Sequence, residues 1–587
     1  MTCKNKFWFR DIFLIFVAGV VLFFAFAKLR PLSNPDEGRY AEIPREMISN
    51  GDYITPRLNA LPYFYKPPLF YWMQCVSLKT FGINRISVRL ANSLMAIFGV
   101  CITYVATRAL YGRRAGVFSA GVLLATLLYY VVGSMVTLDM TVSVFISVAL
   151  FSFIVGIKKS GIWRKILIVC FFIFCAMAVM TKGVIGILIP SAVVLLYVVG
   201  KGLKSTKDFL KILKENFVWC IIGIVAFFVI TVPWHIAVGI ANPALEGGSF
   251  FSTKADGQGF LWYYFVHEHF LRYVDSSSSL RGQPFWFFLV IAPVGFLPWA
   301  LFLPRALKNS FKKQSPTRDS FFFMAVWIVF IVAFFSMSGS KLVPYITAIY
   351  PALAFIIGVW LSSKFDNIQA LNLKPEKYIF TFFGYLVAIV AIVAIFVVKE
   401  SKVEDVVLLN GRVALAITSV CMFVISTVAL RYALKSDNKK FLYSAYVGVV
   451  VILLSLNPSA AMWQRVSSES MAEQIKQIRT NEHIAVAFDY ELFHDLPLWL
   501  GEELMYVGYP VVEQRFGWKR EQQKHSHRIL ITQQQLYNFL KQNKKLWVVL
   551  HSGDVHYFDN YKMPLQKREI LRCKKNILLE ISLKNEK

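Results

Sequence analysis

Apolar runs of about 18–22 residues recur along this chain, and no other feature limits its fold so strongly. They lie near 11–28, 86–107, 115–133, 140–157, 165–181, 183–200, 217–238, 284–303, 320–337, 342–361, 378–398, 413–431 and 441–456. Only a helix satisfies all its backbone polar groups within one segment, so each run is expected to cross a bilayer as a helix. A soluble chain would show amphipathic periodicity instead. The alternating strands of an outer-membrane barrel are too short to give such runs. The composition agrees, at 56% hydrophobic and 17% charged residues with a mean hydropathy of +0.53. The expected fold class is an all-α polytopic membrane protein of about 13 transmembrane helices.

The loops between the runs give an orientation. Arg108, Arg113 and Arg114; Lys158, Lys159, Arg164 and Lys165; and the five lysines of 201–214 all fall on one side. So do the basic residues of 304–318 and 431–440. Positive residues mark the cytoplasmic side, and this placement accounts for the net charge of +28 without a nucleic-acid partner. The run 12–27 ends Ala25-Phe26-Ala27, which has the form of a signal-peptide cleavage site; with a series of spans behind it, it reads as an uncleaved first span. The eight cysteines fall mostly in apolar runs and form no CxxC pair, which argues against a disulfide framework or a zinc ribbon.

Two outer loops, 29–85 and 239–283, belong to a membrane domain spanning 1–456. Residues 457–587 change character: HIAVAFDYELF and KKLWVVLHSGD have strand patterns, and TQQQLYNFLKQNKK has a helical one. They are expected to form a small α/β domain on the outer, periplasmic face.

Charge gathers on that face. In NPDEGRYAEIPREM (34–47), Asn34 reads as a helix N-cap, Pro35 as the first helical residue and Glu37 as the N3 acid. Asp36, Arg39 and Tyr40 then share one face by i, i+3, i+4 spacing, and Pro44 is placed to end the helix. A solvated amphipathic helix is the plain alternative. Lys66 sits between aromatics and two prolines in LPYFYKPPLFYWM, a setting that fixes its backbone. Asp139 lies at the outer mouth of the fourth span, and Lys341 and Tyr345 lie at the outer start of the tenth. The bland readings are a snorkelling Lys341 and an interfacial aromatic belt over 61–73. WYYFVHEHFLRY adds His267, Glu268, His269 and Arg272; His267 and His269 lack the HExxH spacing, so a divalent metal there is the weaker reading and no metal is assigned. Acids, fixed cations and rings at one membrane face suit an anionic substrate with a lipid tail.

The motifs NPDEGRYAEIPREM, KPPL, TLDMT, TKG and GSKLVPY resemble those of the lipid A aminoarabinose transferase family, inner-membrane enzymes of the GT-C class related to protein O-mannosyltransferases. The resemblance runs from the first span to about residue 361. It implies transfer of a sugar from undecaprenyl phosphate to a lipid A phosphate at the periplasmic face. By resemblance, Asp36 is the essential first-loop acid, with Glu37 beside it and Asp139 a second carboxylate near the sugar. Lys66, Lys341 and Arg39 hold the donor phosphate, and Tyr345 hydrogen-bonds it. Tyr40, His267, His269 and Lys182 are candidate sugar or acceptor contacts. Where the family has a Glu before the lysine of KPPL, this chain has Tyr65, which removes a carboxylate able to join His267 or His269 around a metal. Aminoarabinose, galactosamine and other hexosamines all fit. Alternatives are a protein or other glycan acceptor and, in a different class, a lipid or solute transporter. Charge concentrated at one face, away from mid-membrane, favours the transferase.

Overall fold

The computed structural model describes residues 7–245, 258–271, 282–310, 316–397, 405–463, 467–508, 514–521 and 527–584. Among these, ten helices are long and apolar enough to cross a membrane. Two further pairs qualify only together: Arg113–Leu124 with Leu127–Ser134, bent by 63°, and Phe287–Gly295 with Trp299–Lys308, bent by 100°. Counting each pair as one span gives twelve. The helix Ile185–Gly200 has 16 residues. At that length it rises only about 24 Å, against a hydrocarbon core of about 30 Å. Among the described residues, length and apolarity thus account for ten or twelve of the expected thirteen. Both bends have local causes. Thr126 is extended between the halves of the first pair, and Pro293 and Pro298 remove backbone donors in the second.

Leu138–Gly156 and Val343–Lys364 form the centre of the bundle, each 89% buried over its apolar window, while Phe217–Ala241 is only 17% buried. A helix apolar on every side belongs in such a core. This places Asp139, in the first turn of Leu138–Gly156, at the N-terminal mouth of one of the two most enclosed helices.

Outside the bundle, the first loop forms the helix Asp36–Asn50 and a short hairpin of β1 (Arg57–Leu58) and β2 (Leu61–Pro62). The C-terminal region carries a six-stranded sheet of β3 (Ile484–Ala487), β4 (Met505–Val507), β5 (Ile529–Leu530), β6 (Lys545–His551), β7 (Leu565–Cys573) and β8 (Asn576–Leu583), ordered β5-β4-β3-β6-β8-β7. β3 to β6 are parallel, and β7 and β8 run antiparallel at one edge. Its sheet face and the first loop share one apolar core, in which Ala41, Ile43, Leu58 and Phe70 pack with Ile475, Tyr490, Phe493 and Leu496. Burial of this shared surface holds the outer loop in place.

Candidate active site at the outer membrane face

The helix that carries Asp36 is no solvated surface helix. Glu37, Arg39, Glu42, Arg45 and Glu46 are all buried, and the helix runs through Pro44 to Asn50 rather than ending there. Its start also differs from the expected one. Pro35 occupies the cap position with no side-chain cap. The Asn34 side chain turns to the C-terminal region instead, where Nδ2 donates to the carbonyl of Leu492 at 2.9 Å and to Asp495 Oδ1 at 2.6 Å. The Asp495 amide donates back to Asn34 Oδ1 at 3.2 Å. His494 is buried and donates from Nδ1 to the Pro35 carbonyl at 3.1 Å. Burial, then the nearby Arg39 charge, holds it neutral with a pKa down at about 3. Gly38 is required here. A Cβ would stand 2.3 Å from Asn34 Oδ1 and 2.6 Å from the Asp495 nitrogen.

Glu37 is not positioned to meet a substrate. It is fully buried and accepts from Arg30 at 2.9 Å, Arg89 at 2.9 and 3.1 Å, the Ser33 amide at 2.9 Å and the Val136 amide at 3.1 Å. Burial alone would raise its pKa, but the two guanidiniums and their hydrogen bonds outweigh that and hold it at about 2. Glu37 therefore ties the first loop to the second and third apolar runs, and the catalytic place assigned to it from sequence does not fit. Glu46 is the opposite case: burial and the neighbouring Glu42 push its carboxyl well above the usual range.

Asp36 is half exposed, its side chain 53% accessible, and pairs with the buried Arg39. The guanidinium of Arg39 lies 5.1 Å from the centre of the Tyr40 ring and 5.9 Å from that of Tyr63. This cation–π arrangement fixes it. Burial, with the Asp36 and Asp139 carboxylates adding to it, pushes the Tyr40 hydroxyl well above its usual pKa. Asp139 is bonded to Lys182 and to the Thr137 hydroxyl, the latter at 2.9 Å. The Lys182 ammonium stands 4.4 Å from the centre of the Tyr345 ring. Asp139, Lys182 and Tyr345, singled out separately from sequence, thus meet.

Lys66 lies 3.8 Å from Glu268, and His267 lies 3.9 Å from the same carboxylate. Tyr65 stacks on Tyr63 at 5.1 Å and meets Tyr263 edge-on at 5.6 Å, so aromatic packing occupies the place of the family's carboxylate. Among the described residues no three His, Cys, Asp or Glu side chains cluster to hold a metal; the His269 side chain and Arg272 lie outside them. Lys341 does not snorkel. It is buried and donates to the carbonyls of Ser338 at 2.6 Å and Gln283 at 2.9 Å.

The family model described as dolichyl-phosphate-mannose-protein mannosyltransferase matches residues 65–236. An undecaprenyl phosphate-alpha-4-amino-4-deoxy-L-arabinose arabinosyl transferase of Yersinia pestis is 29% identical over 383 residues, 64% of each chain. The Pectobacterium carotovorum protein of the same description is 30% identical over 381 residues, 63% of each. The match thus spans somewhat less than two thirds of these relatives. In fold the likeness is longer. The crystal structure of ArnT from Cupriavidus metallidurans bound to undecaprenyl phosphate is 27% identical and covers 97% of both chains with a TM-score of 0.78, and its apo form gives 0.77. The apolar helices and these relatives make this a multi-pass inner-membrane protein. With one fold over nearly its whole length and related sequence over somewhat less than two thirds of it, the chain is similar to the undecaprenyl phosphate-aminoarabinose arabinosyl transferases.

Proposed function

We propose that the chain is a glycosyltransferase that moves an amino sugar from undecaprenyl phosphate to a phosphate of lipid A at the periplasmic face. The observation that carries this reading is the half-exposed Asp36, held by a buried Arg39, together with the meeting of Asp139, Lys182 and Tyr345. The likeness to a structure bound to undecaprenyl phosphate supports the donor.

The leaving group is then a lipid phosphate, which departs readily once fixed cations match its charge. Lys66 and Arg39 are suited to that work, and Tyr345 to a hydrogen bond. Lys341, with its ammonium on two carbonyls, acts by shaping the loop start beside Tyr345. An anionic acceptor phosphate needs little general-base help, so the Asp36 carboxylate serves to stabilise positive charge developing on the sugar ring. Asp139, set by Lys182, faces the same ring. A single displacement at the anomeric carbon breaks the bond to the donor phosphate, forms one to the acceptor oxygen and inverts the centre. Among the described residues Glu268 and His267 have no third ligand beside them, and Tyr65 stands next to them, so the displacement is written without a metal.

A protein acceptor is the second reading, favoured by the family model over 65–236. Mass spectrometry of lipid A from cells with and without this gene separates the two. A sugar-dependent mass shift is expected, and an unchanged lipid A with a newly glycosylated protein would overturn the first reading. Within the first reading, Asp36→Asn should abolish the shift at normal membrane expression. Full modification by that variant would show that Asp36 takes no part.

A further inference from the structure

A groove of about 1000 Å³ opens at the outer rim of the bundle and shares no lining residue with the candidate active site. It lies where the first span ends at Lys28 and Leu29, where the turn 83–86 enters the helix Ser87–Tyr111, and where the helix Asp405–Leu434 begins. The helix Glu469–Ile478 of the outer region completes it. The ends of three spans therefore meet there.

Charges of both signs line this groove: Lys28, Arg85, Lys476, Glu469 and Glu473. Arg85 and Glu469 satisfy each other at 2.7 Å, and Arg85 also donates to the Lys28 carbonyl at 3.0 Å. Among the described residues, Lys28, Lys476 and Glu473 are exposed and make no ion pair with a protein group. Two cations and one carboxylate are left facing the opening. Below them the side chains of Ile83, Ile86 and Val406 are exposed. They form an apolar edge suited to acyl chains.

We propose that this groove seats the headgroup of a zwitterionic bilayer phospholipid, a phosphate carrying a primary ammonium. The phosphate meets Lys28 and Lys476, the ammonium meets Glu473, and the chains run down past Ile86 and Val406. A doubly anionic headgroup such as that of lipid A would be opposed by Glu469 and Glu473. The bound lipid would add to the bridge that Arg85 already makes between the first span and the outer helix, tying the C-terminal region more closely to the membrane.

Native mass spectrometry of the full chain in detergent tests this, titrated with phosphatidylethanolamine, with phosphatidylglycerol of the same chains, and with lipid A. The ethanolamine lipid should be retained in preference to the glycerol lipid. Lys28→Ala with Lys476→Ala should lower that retention about tenfold or more, as expected for loss of charge-assisted phosphate contacts. Glu473→Gln should move the preference toward phosphatidylglycerol. Equal retention of the two phospholipids by the wild type, or retention untouched by the double variant, would overturn the proposal. So would lipid A displacing the ethanolamine lipid, which would make the groove an acceptor site. Sugar transfer, measured in parallel, should persist in Glu473→Gln, so that failure of this proposal is distinguishable from failure of the proposed function.

Discussion

Replacing Glu37 by Gln would leave the guanidiniums of Arg30 and Arg89, at 2% and 1% side-chain exposure, around a neutral amide. Removing one partner from a buried ion pair costs about 3–5 kcal/mol, because the remaining charge keeps its desolvation penalty without its counter-charge. The carboxyl pKa leads to a similar figure. Its fall from the usual 4.5 to about 2 corresponds to about 3 kcal/mol of linkage. Because the folded-state value is the depressed one, this stabilisation is complete above about pH 4.5 and is lost as pH falls through about 2. Glu46→Gln supplies the control from the same helix: its carboxyl is held neutral by burial and by Glu42, so a neutral amide of the same shape replaces it at little cost. Thermal unfolding of the detergent-solubilised chain at pH 7 should show a midpoint lowered by about 2–4 °C for Glu37→Gln. For Glu46→Gln it should stay near wild type. Lipid A modification by Glu37→Gln should fall in step with the folded fraction, unlike the loss expected at Asp36. An unchanged midpoint for Glu37→Gln, or equal falls for both variants, would refute the assignment of Glu37 as the charge that ties the loop to the bundle.

Lys66→Ala should lower turnover by roughly tenfold to a thousandfold at an unchanged melting midpoint, since a charge-assisted contact to a desolvated phosphate is worth about 1.5–4 kcal/mol. Lys341→Ala should lower turnover and midpoint together, because its ammonium also holds the Ser338 and Gln283 carbonyls; steady-state assay and melting on one preparation separate the two cases. Asp495→Ala should cost about 1–3 kcal/mol of stability by stranding Asn34, Ser467 and the Ser468 amide, read as a lower midpoint and faster proteolysis of the first loop. Activity should survive strong chelation, and loss with EDTA that zinc restores would contradict this.

Hydropathy and the placement of Lys and Arg are properties of short windows, so they are legible in a linear sequence. The positions of most spans and the strand and helix patterns of 484–487, 533–543 and 545–551 followed from such windows. The face shared by Asp36, Arg39 and Tyr40 was legible for the same reason, because helical spacing is local. Capping chemistry at Asn34 was also read locally, and there tertiary structure overruled it. Its amide finds a stronger set of partners 458 and 461 residues away, at Leu492 and Asp495. Tertiary packing also hid the Glu37 cluster, although its partners Arg30 and Arg89 lie only 7 and 52 residues away. An acid in a first helical turn looks alike whether water or two buried guanidiniums surround it, and only the packing of Arg30 and Arg89 against it decides between a surface cap and a structural ion pair. Asp139 and Lys182 were each visible as charges at span ends. That they meet each other, over the ring of Tyr345, was decided by how the central helix packs against its neighbours, since the pair energy depends on a distance that no spacing in the sequence contains.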